Sequence, residues 1–210
     1  MVQGVRSAKA KQNRAGMLQP ATLLDLVVYH KPQQSLARIR ELQPHYIYMQ
    51  LQEDVVRNSV ALFSVEVLLR ILPEHAPTPD IFDFAIDFFK ATDVRPLPAL
   101  ANFPLWFIIR CSRLLGYNIT GSFTEHTNYL NAQEGAFSSR PPSQGILLHT
   151  DEVALMAKLL SLNNIEELSA VEMNAHTRNR LLDWLIEFLQ HHTQHMGAIR
   201  SLEVLRAILH

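Results

Sequence analysis

A change of hydrophobic period near residue 50 constrains this chain more than any other feature of its sequence. Before it, apolar residues tend toward every second position, the spacing of a strand; after it they recur at three and four, the spacing of one helical face. Val56, Val60, Phe63, Val67, Leu68 and Ile71 predict a first helix that starts near Glu53 and is ended by Pro73. Thr78-Pro79-Asp80 opens a second through Phe82, Ala85, Ile86 and Phe89, with proline in the first turn, where its missing N–H costs nothing. A third helix spans residues 100–115 and closes at Gly116, and it takes in Cys111, the only cysteine, as a small apolar residue. Asp151 is expected to cap a fourth helix reaching Leu160, residues 172–195 predict a long amphipathic helix, and Ser201 is expected to cap a short terminal one. Residues 117–148, with Pro141-Pro142 and three glycines, show no sustained period and read as a long excursion.

Upstream of the change, residues 20–30 read as a strand through Leu24, Leu26 and Val28. Lys31-Pro32-Gln33-Gln34 breaks it, and residues 35–42, with Leu36, Ile39 and Leu42 apolar, read as a second strand returning as a hairpin. Residues 1–5 read as a third strand, and residues 6–16 as a mobile, basic loop. The expected fold is therefore α+β and mostly α, with a β region over residues 1–50 and an all-helical domain over residues 51–210. Three strands leave unpaired edges, so something is missing from the sheet or is supplied by the helices.

The net charge of −1 conceals an asymmetry. Residues 1–40 carry seven basic side chains against Asp25 alone, a net of +6, while the other 170 residues hold 12 basic and 19 acidic ones, a net of −7. A basic head on an acidic body favours a polyanion such as nucleic acid, although solvated basic clusters of this size are also common on surfaces. A single cysteine excludes an internal disulfide framework and a four-cysteine zinc site. There is no run of eighteen apolar residues, and the stretch after Met1 lacks the apolar centre of a secretory signal, so a cytoplasmic location and no membrane partner are expected. No phosphate-cradling glycine loop is present, so nucleotide hydrolysis is not expected. His191, His192 and His195 form HHxxH, and His191 with His195 at i, i+4 would share a helical face able to hold a metal. The glutamate of a metalloprotease motif is missing from it, and no metal or other cofactor is expected.

Gly4-Val5-Arg6-Ser7, the basic Lys9 and Lys11, and Leu18-Gln19-Pro20 running into the strand resemble the second half of the OB-fold of RecO proteins. Leu36 to Glu41 resembles the last strand of that barrel. Ala61-Leu62-Phe63 with Glu66-Val67-Leu68 is similar to the family's first C-terminal helix, residues 103–116 to its arginine-containing helix, and residues 201–206 to its terminal helix. The likeness covers essentially the whole chain and is closest to Bacteroidetes forms of the family. Two departures stand out. Family members begin with another pair of strands, so this chain is expected to be N-terminally truncated within a partial OB-fold of about three strands. Many relatives also carry four zinc-binding cysteines in the region of residues 116–148, where this chain has none.

The resemblance implies a non-enzymatic mediator of DNA repair and homologous recombination, in the RecF pathway. It would bind and anneal single-stranded DNA and help load RecA, with RecR as partner, at the bacterial nucleoid. Arg6, Lys9, Lys11 and Arg14 are the first candidates for phosphate contacts and Arg38 and Arg40 the second, with Tyr29 available for base stacking. The resemblance also implies an apolar pocket for the acidic, phenylalanine-containing tail of single-strand-binding protein, with Arg110 and Arg113 on the aromatic helix as candidate rim residues; pairing with Asp83 or Asp87 is the structural alternative. Two other functions fit the residues: a helical protein-interaction module lacking DNA binding, and a metal-dependent hydrolase using His191 and His195.

Overall fold

The computed structural model describes residues 14–29, 38–74, 76–194 and 196–209, residues 14 and 15 by their backbone alone. The chain divides into two compact units, Met1–Met49 and Gln50–His210.

In the first unit, α1 (Arg14–Met17) precedes β1 (Leu24–Tyr29) and β2 (Arg38–Pro44). The helical turn α1 corrects the end of the expected loop; four residues are too few to show a period. β1 begins later than expected because residues 19–22 form a turn, closed by the Thr22 N–H on the Gln19 carbonyl at 3.2 Å. Pro20 leads that turn, and Ala21 takes a left-handed φ of 64°. β1 and β2 then pair antiparallel, as expected, with Leu24 opposite Pro44 and Tyr29 opposite Arg38. Ile39 and Leu42 are three apart, which strict alternation cannot put on one face. A β-bulge resolves the conflict: Val27 faces Glu41 and Val28 faces Ile39, leaving Arg40 as the extra residue. Leu24, Leu26, Val28, Ile39 and Leu42 thereby share one face, and Val27, Tyr29, Arg38 and Glu41 the other. The third strand expected at residues 1–5 lies outside the described residues, as does the break at residues 31–34.

The second unit holds α2 (Val55–Ile71), α3 (Pro79–Val94), α4 (Phe103–Leu114), α5 (Thr150–Ser161), α6 (Ala175–His192) and α7 (Ser201–Ile208). Short 3-10 segments at Leu97–Asn102 and Ile165–Ala170 lead into α4 and precede α6. The expectation of an all-helical domain is corrected by a second antiparallel hairpin, β3 (Tyr129–Asn131) with β4 (Ala136–Ser138). Its three-residue strands are too short to register as alternation within the excursion. α4 is the centre: every residue from Phe103 to Ile109 is buried, the pattern of a helix covered on all sides, and it packs against α2, α3 and α6. Cys111 is buried within it, and burial pushes its thiol far above the ordinary range despite the nearby charge of Arg110, leaving it unreactive.

Several helix ends differ from expectation because caps come from neighbours or nearby residues. Asp54 caps α2 by accepting the Arg57 N–H at 2.9 Å. α5 begins at its cap His149, whose N–H donates to Glu152 at 2.8 Å, while Asp151 lies exposed in the first turn. Asn174 starts α6 by accepting the Thr177 N–H at 2.8 Å, and the helix stops at His192, short of His195. On α3, Phe82 is 63% exposed, because Ile81, Ala85, Phe88 and Phe89 form the stripe that meets the core.

Ser201 does not cap α7; the cap reaches across from α2. Glu66 accepts the N–H groups of Arg200 and Ser201, at 2.9 and 2.8 Å, and the Ser201 hydroxyl at 2.6 Å. Burial pushes its carboxyl up, but the hydrogen bonds from Ser201 and Arg200, with the charge of Arg70, hold its pKa below the usual value. A depressed folded pKa means stability present above the unfolded pKa and lost as pH falls through the folded one. Glu66→Gln is therefore expected to cost about 0.5–2 kcal/mol at pH 7, as other helix caps do. In urea titrations that gap should narrow as the pH drops below about 4, the ordinary carboxylate range. A gap that does not depend on pH would show that the ionised carboxylate is not what holds α7.

Candidate nucleic-acid and partner interfaces

Of the basic residues picked out for phosphate contact, the structure describes the side chains of Arg38 and Arg40. Arg6, Lys9 and Lys11 lie outside the described residues, and Arg14 is placed by its backbone as the first residue of α1. The bulge aims Arg40 at Tyr29, with the guanidinium 5.8 Å from the ring centroid, and Arg38 stands opposite Tyr29 across the strands. Tyr29 is 54% exposed, so an open aromatic face lies beside two cations. Such an arrangement can stack a base and hold phosphates at once. Glu41, 3.2 Å from Arg40, partly offsets the positive charge. Sequence reasoning did not find the neighbouring side-chain hydrogen bond, in which His45 Nδ1 lies 3.0 Å from Asp25 across the hairpin. The two residues are twenty positions apart and meet only through the strand register. Tyr46 and Tyr48 pack edge to face at 5.2 Å, and the Tyr48 hydroxyl donates to the Ala21 carbonyl at 2.8 Å.

The second unit contains a cleft of about 220 Å³ between α3, α4 and the 3-10 segment Ile165–Ala170. Phe84, Phe88, Trp106 and Ile165 make its apolar floor. Asp87, Arg110 and Glu166 bring charge to its edge. The Arg110 guanidinium lies 5.3 Å from the Trp106 ring centroid, so the cation is held over an aromatic face. Among the described residues no ion pair joins Arg110 to Asp83 or Asp87. Arg113, one turn further on, does not line the cleft. Its guanidinium donates to the Leu160 carbonyl at the end of α5, and burial, with the charge of Arg110, lowers its pKa. Sequence reasoning missed Asn163, Asn164, Ile165 and Glu166, the far wall of the cleft. Their one signal is local: Asn164 caps the 3-10 segment by accepting the Glu167 N–H at 3.1 Å. Chemically, the cleft suits an apolar ring below and a carboxylate at the Arg110 edge.

The face expected of His191 and His195 falls partly outside the described residues, because His195 is not among them. α6 ends at His192. His191 is exposed, 3.8 Å from Glu187, whereas His192 packs on Phe188 with ring centroids 4.4 Å apart and its Nε2 lies 3.1 Å from the Ala132 carbonyl. Among the described residues no group of three His, Cys, Asp or Glu side chains could hold a metal ion, and no helix is long and apolar enough to cross a membrane.

Residues 52–203 match the family model described as recombination protein O C terminal. Over 204 residues the chain is 27% identical to the DNA repair protein RecO of Bacteroides fragilis, covering 97% of this chain and 83% of that protein. It is 27% identical to the RecO of Phocaeicola vulgatus over 193 residues, 91% of this chain and 79% of that protein. The RecO of Azobacteroides pseudotrichonymphae is 23% identical over 189 residues, 90% and 78% of the respective chains.

Proposed function

Because this chain belongs to the RecO family of DNA repair and recombination proteins, we propose that it is a non-catalytic mediator that binds and anneals single-stranded DNA and, with RecR, helps RecA replace single-strand-binding protein. It acts in the cytoplasm, at the nucleoid. In this reading residues 1–50 are a nucleic-acid-binding OB-fold region and residues 51–210 a helical partner-binding domain. An OB-fold strand fills the barrel with one face and shows the other to its ligand. The hairpin is two-faced in that sense: Leu26 and Val28, each 48% exposed, lie on its apolar side and Tyr29 and Arg38 on the other.

The observation that carries the proposal is Arg40, lifted by the bulge over the exposed ring of Tyr29, with Arg38 alongside. Arg6, Lys9, Lys11 and Arg14 extend the same basic region in sequence. Fluorescence anisotropy with a labelled single-stranded oligonucleotide across a salt series tests it. Tyr29→Ala is expected to weaken binding by about 1–3 kcal/mol, the worth of one stacked base. Replacing Arg38 and Arg40 together by alanine is expected to reduce the salt slope by about 1.4, roughly 0.7 for each phosphate of a single strand no longer neutralised. The same logic extends to a variant with Arg6, Lys9, Lys11 and Arg14 replaced. A folded chain that binds no oligonucleotide at low salt would leave a helical interaction module in place of a DNA-binding mediator.

The cleft of the helical unit is proposed to receive the acidic, phenylalanine-containing tail of single-strand-binding protein. The aromatic floor supports the ring, and Arg110 supports the carboxylate. Arg113, engaged with Leu160, is left out of that role.

A further inference from the structure

A second cation, Arg95, does not line the cleft but is engaged by Glu166, a residue of its wall. Arg95 closes α3, and its backbone carbonyl is held by Arg57 at 2.7 Å, so the start of its side chain is fixed. Its guanidinium donates to Glu166, which lines the cleft. Both partners face solvent, with side chains 38% and 60% exposed. An exposed pair of this kind contributes little net stability, so another carboxylate can replace Glu166 at small cost. Arg110, the cation that does line the cleft, has no carboxylate partner among the described residues. Asp87, also lining the cleft, supplies a fixed repulsion to any acidic ligand.

We infer that Arg95 is a second carboxylate anchor for an acidic peptide ending in an aromatic residue, and that Glu166 holds this anchor in reserve as an internal competitor. The inference rests on the proposal that such a peptide enters the cleft. Its consequence is selectivity by the number of carboxylates. A peptide with one carboxylate engages Arg110 and leaves the Arg95–Glu166 pair intact. A peptide with several carboxylates engages Arg110 and also displaces Glu166 from Arg95. A tethered competitor acts at a high effective concentration, so only a ligand bringing a second carboxylate into register overcomes it.

Two labelled peptides test this, one with several aspartates before a C-terminal phenylalanine and one with the terminal carboxylate alone, measured against the full chain and its variants. Glu166→Gln is expected to tighten the polyacidic peptide about three- to fivefold, the range of an exposed ion pair. The singly charged peptide should gain less than twofold. Arg95→Gln should weaken the polyacidic peptide, and in the Arg95→Gln background Glu166→Gln should give no gain, which mere removal of a repelling charge would still produce. Unchanged melting temperatures confirm that these exposed substitutions leave the fold intact. If Arg110→Glu abolishes binding but Glu166→Gln leaves it unchanged or weaker, the reserve anchor is refuted and the cleft remains the peptide site. If neither peptide binds the unsubstituted chain or Glu166→Gln, the cleft proposal and the inference fall together.

Discussion

Phe107→Ala is expected to destabilise the second unit by about 3–5 kcal/mol, the usual cost of deleting a fully buried phenylalanine and leaving a cavity. Phe107 is inaccessible to solvent, and its ring lies 5.6 Å from Phe84, 4.6 Å from Phe88 and 6.4 Å from Phe89. α4 is buried on all sides, so no surface element can move in to fill the space without disturbing its packing on α2, α3 and α6. Phe84 and Phe88 floor the cleft, so the damage should extend to the proposed tail site, and Phe107→Ala is expected to bind the acidic peptide less well even where it is fully folded. Trp106 and Trp184 are both buried, which makes tryptophan fluorescence a direct reporter of urea unfolding. A midpoint shift worth less than about 1 kcal/mol at unchanged slope would mean that the cluster repacks, and that Phe107 does not hold the cleft floor.

Those helices were legible because each is long enough to sustain an apolar pattern. α6 is set by a stripe that recurs over three turns or more and α4 by an unbroken apolar run, whereas α2 buries Val60, Phe63, Val67 and Ile71 of its stripe together with Arg57 and Ser64, which packing rather than period selects. α3 shows the limit. Its stripe can be drawn through Phe82 or through Ile81 and Phe88, and only the position of Phe103 and Phe107 on α4 decides between them. The bulge was present in the sequence as the three-residue step from Ile39 to Leu42, but its effect, turning Arg40 toward Tyr29, depends on the pairing with β1. The cleft was half legible. An arginine on an aromatic helix marks Arg110, yet Arg113 looks the same in sequence and is withdrawn by a carbonyl 47 residues away. The far wall belongs to a short, polar 3-10 segment, which carries no period to read. The cap of α7 by Glu66 lies 135 residues from Ser201, beyond any local signal.

The start of the second unit is fastened in a way that predicts the other large loss of stability. Asp93, buried near the end of α3, accepts the backbone N–H groups of Gln50 and Leu51, each at 2.8 Å. In return Arg57, 4% exposed on α2, donates to the Thr92 and Arg95 carbonyls at 2.6 and 2.7 Å, satisfying acceptors at the end of α3 and placing positive charge where the helix dipole favours it. An unpaired buried polar group costs about 1–3 kcal/mol, and Asp93→Ala strips the acceptor from the buried Leu51 N–H and the part-buried Gln50 N–H at once, so a loss of roughly 2–4 kcal/mol is expected. Asp93→Asn keeps a carbonyl oxygen and should lose less, which separates missing hydrogen bonds from missing volume. Hydrogen exchange locates the effect. In Asp93→Asn the Gln50 and Leu51 amides should exchange faster, while the amides of α4 change only with global stability. Were Asp93→Ala within about 1 kcal/mol of the parent, those two N–H groups would have other acceptors, and α3 would not be what anchors the chain where its hydrophobic period changes.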